Sequence, residues 1–227
     1  MNYRSEFEKY ARSEHNVSSL KLDYYEKQIH GSMTPYILEE RELRATQIDI
    51  FSRLMRDRIL WVAGPVEDAM STVVQAQLMF LDSIDSRDIT MHIDSPGGSV
   101  KSGLSMVDVM EYISADIRTV NTGMAASMGS VLLGAGTKGK RSSLRFSKVM
   151  LHQSSGGFRG NIQDAKIDFK EWEEVNKVLF DLLGRYCDKT PSQVMKDATR
   201  DFWLSAEEAV KYGIIDEVIT KKDPKKK

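Results

Sequence analysis

The segment Ile89-Thr-Met-His-Ile-Asp-Ser-Pro-Gly-Gly98 joins an apolar run to a turn rich in proline and glycine. Residues 89–93 predict a buried strand, which Ser95 to Gly98 bring to an end. Apolar residues then recur at helical spacing from Val100 to Ile113. A strand, a glycine-containing turn and an amphipathic helix in direct succession are typical of an α/β protein.

The same succession recurs on both sides of this segment. Further strands are predicted at residues 59–63, 117–121, 148–151 and 214–219, and further helices at residues 70–81, 127–136, 162–186 and 205–212. Asp68 is expected to cap one helix, and Ser205 with Glu208 forms a capping-box pattern at the start of the last helix. The alternation predicts an α/β fold with a largely parallel sheet.

Composition excludes several classes of function. The 227 residues carry 32 basic and 33 acidic side chains, which argues against a nucleic-acid binder that neutralises phosphates. No apolar run approaches the roughly 20 residues needed to span a membrane. Cys187 is the only cysteine, so neither an intramolecular disulfide nor a cysteine zinc site is expected. Residues 136–141 lack the spacing of a phosphate-binding loop, so the chain should not hydrolyse ATP itself.

Two turns contain candidate functional groups. Gly123-Met-Ala-Ala-Ser-Met-Gly129 places one serine among small residues between a strand and a helix, where a sharp turn can expose its hydroxyl. Position 125 is alanine where the G-x-S-x-G pattern has glycine, and a close helix–sheet contact would also need small residues. The glycines of Ser95 to Ser99 can bring backbone N–H groups close to a ligand, although a plain strand-to-helix turn fits equally.

A histidine and an aspartate could complete a catalytic set. His152 follows the strand at residues 148–151, at the end of the strand where α/β proteins place their sites, but it could also be structural. Asp201 precedes an aromatic run and is expected to be partly buried, either near His152 or paired with an arginine. Asp197 is the competing acid and could pair with Arg200. A reactive serine needs a base, a histidine needs an acceptor, and an oxyanion needs N–H donors.

From about Met33 to Ile219 the chain resembles the proteolytic subunits of Clp proteases, which are self-compartmentalised serine peptidases. The resemblance rests on four motifs in register: Asp94-Ser-Pro-Gly-Gly98, Gly123-Met-Ala-Ala-Ser-Met-Gly129, Val149-Met-Leu-His-Gln153 and Arg200-Asp-Phe-Trp-Leu-Ser-Ala206. It implies that Ser127 is the nucleophile, that His152 is the general base and then the general acid, and that Asp201 orients the imidazole. The backbone N–H groups of Gly98 and Met128 would form the oxyanion hole, and no metal is implied.

The resemblance also implies an architecture. The expected fold is the α/β ClpP/crotonase-like fold of repeated β-β-α units, with a protruding handle at residues 154–186 that interlocks two rings. Gly156, Gly157 and Phe158 belong to a glycine-rich strand that pairs with extended substrate. The remaining segments would be a polar leader or propeptide at 1–32, an axial segment at 33–47, the peptidase domain at 48–220 and a basic tail at 221–227.

The implied partners and location follow the family. Two stacked heptameric rings would enclose the active sites and degrade unfolded proteins to short peptides. An AAA+ unfoldase of the ClpX, ClpA or ClpC type would thread the substrates and use the ATP, so no cofactor is expected in this chain. The protein is expected to be cytoplasmic, with no nucleic-acid or membrane partner.

The chain departs from the family pattern at four positions. Thr199 replaces the usual acid before Arg200, so an inter-ring ion pair is expected to be absent or rebuilt. Thr90 and His92 stand where tyrosines often lie near the unfoldase-docking pocket, and Ser154 replaces the usual proline, which is expected to loosen the strand beside the site. Two alternatives stay open: a catalytically silent structural subunit of a mixed ring, and a crotonase-like acyl-CoA enzyme.

The leader generates a first prediction. Because the family makes precursors with clipped leaders, cleavage near Ser32-Met33 is expected in the active protein, with residues 34–47 then lining an axial pore. Intact-protein mass spectrometry measures this directly. An active enzyme that retains its complete leader from Met1 would contradict the expectation.

Overall fold

The computed structural model describes residues 9, 10, 12, 13, 18, 36–41, 44–157 and 161–220. Its first described strands are β1 (Tyr36–Arg41) and β2 (Arg44–Asp49), which pair antiparallel as a hairpin. The sequence patterns did not predict this hairpin, which occupies most of the axial segment.

The main body follows the hairpin and alternates strands with helices. Its elements are α1 (Ile50–Arg56), β3 (Ile59–Ala63), α2 (Asp68–Ile84), β4 (Ile89–Ser95), α3 (Val100–Tyr112), β5 (Ile117–Ala126), α4 (Met128–Gly134), β6 (Arg141–Leu144), β7 (Lys148–Leu151), α5 (Ile162–Cys187), α6 (Pro191–Asp197), β8 (Phe202–Ser205), α7 (Ala206–Tyr212) and β9 (Glu217–Ile219).

A predominantly parallel sheet organises these elements. Strands β3, β4, β5, β6 and β9 are neighbours in that order and pair in parallel. Strand β7 also pairs parallel with β5, beyond the point where β6 leaves it, and β8 pairs antiparallel with β7. The predicted α/β class and largely parallel sheet are therefore confirmed.

Burial along β4 shows how the sheet meets its helices. Ile89, Met91 and Ile93 have no exposed surface, whereas Thr90 and His92 between them are half-buried. Because successive strand residues point to opposite faces, one face of β4 packs fully into the apolar core. The turn after β4 therefore starts from a rigid strand.

Several boundaries differ from those predicted. Helix α2 begins at Asp68 with Glu67 as its N-cap, and the Asp68 carboxylate accepts a hydrogen bond from Ser102 instead of capping the helix. Strand β5 continues to Ala126, five residues beyond the predicted end, and β9 is confined to residues 217–219. The predicted capping box of α7 is confirmed, with Ser205 and Glu208 bonding each other's backbone N–H groups.

Part of the predicted leader contacts the body. The ring of Tyr10 lies 5.5 Å from the ring of Phe80 on α2, with the two planes tilted by 54°. Tyr10 is half-buried there and packs against the core. The proposed cleavage point at Ser32-Met33 and the tail at 221–227 lie outside the described residues.

A buried arginine ties the end of the sheet to the helices. Arg141, only 3% exposed, forms an ion pair of 2.7 Å with Asp216 and donates to the carbonyls of Tyr186 and Gly213. Burial alone would raise the pKa of Asp216, but hydrogen bonds from Arg141 outweigh burial and hold that pKa below its ordinary value. This carboxylate therefore stabilises the fold at neutral pH, and that contribution is lost as acid protonates it.

We expect Asp216→Ala to lower the free energy of unfolding by about 3 kcal/mol, because it leaves a buried guanidinium unpaired. Denaturant unfolding measures the change. Asp108→Ala is the matched control, since Asp108 is exposed on α3 and should shift stability by less than about 0.5 kcal/mol. Equal stabilities for the two variants would contradict the role assigned to Asp216.

Candidate active site

Ser127 occupies a strained turn between β5 and α4. Its φ of 53° and ψ of −123° lie in a region that residues other than glycine rarely adopt. The Ser127 N–H donates to the carbonyl of Met150 at 2.9 Å, and the Ser127 carbonyl accepts from both the N–H and the hydroxyl of Ser130. Hydrogen bonds on both sides therefore hold the turn, which directs the side chain out of the strand.

The glycine turn after β4 lies directly beside this serine. A Cβ atom on Gly97 would come within 2.6 Å of Ser127 Cβ and 2.9 Å of Met128 N, so only glycine fits there. Gly98 has a φ of 149° and forms a parallel bridge with Val66. The Val66 N–H donates to the Gly97 carbonyl, and the Ser99 N–H donates to the Val66 carbonyl. In such a parallel bridge the N–H of Gly98 itself points away from Val66.

A second N–H donor comes from helix α4. Met128 is the first residue of α4, so its N–H lies among the initial helix groups that have no acceptor one turn earlier. The predicted pair of donors, Gly98 and Met128, thus lies on the two segments that meet beside Ser127.

The sheet brings His152 to the same place. Strand β7 pairs with the last residues of β5, with Ala126 opposite Met150. Both strands run in the same direction, so their carboxyl ends meet at one edge of the sheet. Ser127 follows β5 directly and His152 follows β7 directly, and both side chains line one cavity.

Antiparallel pairing of β8 with β7 places the acid. Leu151 is opposite Phe202, so the residues just beyond this pair, His152 and Asp201, face each other. The distance from His152 Nδ1 to Asp201 Oδ1 is 3.3 Å. The expected partial burial of Asp201 is wrong, because 62% of its side chain is exposed at the open end of the strand pair.

Asp197 takes no part in this arrangement. Its carboxylate accepts hydrogen bonds from Gln193 at 2.7 Å and from the Tyr212 hydroxyl at 3.0 Å. The expected pairing of Asp197 with Arg200 is therefore wrong, since helix α6 turns the side chain toward α7. The structure brings Asp201, and not Asp197, to His152.

The cavity beside Ser127 is mostly apolar. Its apolar lining comprises Val100, Met128, Val131, Leu179, Phe180 and Leu183. Helix α5 contributes three of these side chains, because its buried stripe faces α4. The surroundings of the serine are therefore apolar, and the cavity itself, about 20 Å³, has room for about one water molecule.

Ser154, which replaces the usual proline, hydrogen-bonds the chain after His152 to helix α5. The Ser154 hydroxyl accepts a hydrogen bond of 2.7 Å from Trp172 Nε1 and donates one of 2.8 Å to Asn176 Oδ1. Both partners lie on α5. The sequence patterns indicated Trp172 only as an apolar helix residue and did not indicate Asn176.

Thr199 and His92, two further positions where the chain differs from the family pattern, make contacts with nearby residues. The hydroxyl of Thr199 donates to the carbonyls of Met195 and Lys196 at the end of α6. His92 stacks on Trp61 of the neighbouring strand with 4.8 Å between ring centres, and its burial lowers the pKa of the imidazole. Thr199 lines an open cavity together with His152 and Asp201 and therefore lies beside the site, whereas His92 lines neither of the two cavities at His152.

The predicted substrate residues are only partly described. Gly156 and Gly157 are exposed and lie in neither a helix nor a strand, and Phe158 is outside the described residues. Of the residues 154–186 that are expected to form a handle, those from Ile162 onward belong to α5. Within the part of the chain that the structure describes, no three acidic, histidine or cysteine side chains are placed to hold a metal ion. The described helices include none long and apolar enough to cross a membrane.

Comparisons with known proteins identify relatives over nearly the whole chain. The model of the family described as Clp protease matches residues 41–222. The chain is 46% identical over 218 residues to an ATP-dependent Clp protease proteolytic subunit of Bacteroides fragilis, covering 96% of this chain and 99% of that one. A protein of the same description from Porphyromonas gingivalis is 45% identical, with 96% and 98% covered.

The geometry predicts different roles for the two aspartates. Asp201→Ala should slow the reaction of Ser127 with a fluorophosphonate at least about 100-fold, because His152 loses the acceptor that orients it. Asp197→Ala should change that rate less than about threefold while lowering stability by about 1 kcal/mol, through loss of the Tyr212 hydrogen bond. Timed intact-mass spectra measure both rates, and the reverse ranking would assign the acid to Asp197.

Proposed function

The chain belongs to the Clp protease family, and from that premise we propose that it is the proteolytic subunit of an ATP-dependent Clp protease and acts as a serine endopeptidase. The observation that carries the serine-type assignment is the convergence of Ser127, His152 and Asp201 at adjacent strand ends, with His152 Nδ1 3.3 Å from Asp201 Oδ1. The protease class itself rests on the family match.

Acylation uses these three side chains in one step. With a proton on Nδ1 directed at Asp201, His152 keeps the lone pair of Nε2 available as a base. Ser127 Oγ attacks the peptide carbonyl carbon while Nε2 takes the hydroxyl proton, which requires the two atoms to approach to about 3 Å. The carbonyl oxygen becomes an oxyanion, and the N–H groups of Gly98 and Met128 donate hydrogen bonds to it.

Collapse of the intermediate cleaves the peptide. The imidazolium of His152 gives its proton to the leaving nitrogen, the C–N bond breaks, and the acyl group stays on Ser127 as an ester. Water then attacks the ester with His152 again accepting a proton, and the carboxylic acid leaves as Ser127 regains its hydrogen. Every proton transfer passes through His152, so the proposed chemistry needs no cofactor in this chain.

The surroundings of Ser127 support a polypeptide substrate. The apolar side chains of α4 and α5 give the substrate residue next to the scissile bond an apolar surface, although the cavity between them, about 20 Å³, has room for about one water molecule and would have to widen to enclose a side chain. The exposed backbone at Gly156 and Gly157 can pair with an extended main chain, and main-chain pairing does not discriminate between side chains. Phe158, which lies outside the described residues, is proposed as a third substrate-binding residue.

Association of subunits is proposed on the surface of α5. Ile162 is 75% exposed and Ile167 is 67% exposed, although both are large apolar side chains. Phe169, which is 48% exposed, lies two helical turns after Ile162 on the same face of α5, and a contiguous exposed apolar face is typical of an interface. These exposed residues support the proposal that α5 acts as the handle between two stacked heptameric rings. A AAA+ unfoldase is proposed to deliver unfolded proteins and to consume the ATP.

The test compares wild type with Ser127→Ala. A fluorophosphonate should add once to the wild type and not to the variant, and Ser127→Ala should lower hydrolysis of a short fluorogenic peptide at least about 10⁴-fold. Native mass spectrometry should give the same assembly for both proteins. An assembled, folded wild type without an adduct would support the silent structural subunit instead, whereas unchanged hydrolysis in the variant would refute Ser127 as the nucleophile.

A further inference from the structure

We propose that Ser154, Trp172 and Asn176 form a positioning cluster that fixes the backbone after His152 and thereby holds the imidazole in reach of Ser127. The proposal rests on the serine peptidase function proposed above and assigns three further residues to that site. None of the three would touch the reacting atoms. They act through His152, which lies two residues before Ser154.

The contacts form a continuous link from α5 to the catalytic segment. Trp172 Nε1 donates to Ser154 Oγ at 2.7 Å, and Ser154 Oγ donates to Asn176 Oδ1 at 2.8 Å. The same amide oxygen lies 3.4 Å from the Ser154 N–H. The Ser154 hydroxyl thus donates its single proton to Asn176 and accepts a hydrogen bond from Trp172 at the same time. These two bonds fix the rotamer of Ser154, and the contact of its N–H with Asn176 restrains its backbone.

The tryptophan ring also lies beside the next part of the same segment. A Cβ atom placed on Gly156 would lie 3.8 Å from the Trp172 ring, so the indole faces the side of Gly156 from which a side chain would project. The hydrogen bond to Ser154 is the contact by which Trp172 holds the segment that leaves His152.

The position of the cluster explains why His152 needs this support. Strand β7 ends at Leu151, and residues 152–157 lie in neither a helix nor a strand. The sheet therefore orients the chain only up to the residue before the imidazole. Asp201 restrains one side of the ring, but 62% of that side chain is exposed. A loosely held base loses reaction rate steeply, because small displacements of reacting groups are costly.

The cluster also faces the reaction cavity. Ser154 and Asn176 line the same cavity as Ser127 and His152. Loss of the hydroxyl would remove the acceptor that Ser154 offers to the indole N–H, and the Asn176 amide oxygen would keep its 3.4 Å contact with the Ser154 N–H. Substitution of Ser154 is therefore expected to disturb the orientation of the His152 imidazole more than substitution of a solvent-exposed serine would.

The experiment measures the rate constant and the amplitude of fluorophosphonate addition to Ser127 in the assembled protein, together with kcat and KM for a short peptide. Ser154→Ala and Trp172→Phe should each lower the rate constant and kcat about tenfold, with KM changed less than about twofold. Ser154→Thr keeps the hydroxyl and should restore most of the rate. The double variant should be little slower than either single one, because both remove the same link.

Controls separate positioning from folding. Ser155→Ala removes the neighbouring exposed hydroxyl and should react at the wild-type rate. A merely structural role would lower the amplitude of labelling, since fewer subunits would be active, and would leave the rate constant unchanged. That result, or additive effects of Ser154→Ala and Trp172→Phe, would overturn the proposal while Ser127 remains the nucleophile. A wild type that takes no label at all would overturn the proposed function as well.

Discussion

The pairing of β7 between β5 and β8 is the constraint on which the site depends. Its parallel contact with β5 places His152 beside the turn that carries Ser127, and its antiparallel contact with β8 places Asp201 opposite His152. The three residues lie far apart along the chain, so only the register of these short strands brings them together. A slip of one residue would turn each side chain to the other face of the sheet.

The site also depends on the strained backbone conformation of Ser127, which contacts with neighbouring residues stabilise. Backbone conformations of this kind cost about 1–3 kcal/mol each, so they persist only where neighbouring structure fixes them. Here the Met150 carbonyl holds one side of the turn and Ser130 holds the other. Gly97 contributes by its lack of a side chain, since a Cβ atom there would collide with Ser127. The conformation that exposes the hydroxyl is thus maintained by contacts from three separate segments.

Sequence patterns predicted the long periodic elements and missed the short polar ones. Strand β3 and helix α5 have clear apolar periods, and their bounds were predicted within about one residue. Strand β6 was missed because it buries polar side chains, and the partners of Arg141 and Ser142 come from distant parts of the chain. The four-residue strand β8 was missed as well. Asp201 was consequently expected to be partly buried, although its position just before β8 leaves it exposed.

The site residues were predictable one at a time, but their support was not. Motifs indicated Ser127, His152 and Asp201, because catalysis requires particular side chains at strand ends. A proline at position 154 would restrict the backbone through its own ring and needs no partner. Ser154 depends instead on Trp172 and Asn176, which are 18 and 22 residues away along the chain. Because these hydrogen bonds stand in place of a proline ring, we infer that the orientation of His152 depends on the placement of α5. Sequence patterns could not indicate this dependence, because it arises from contacts in the folded chain.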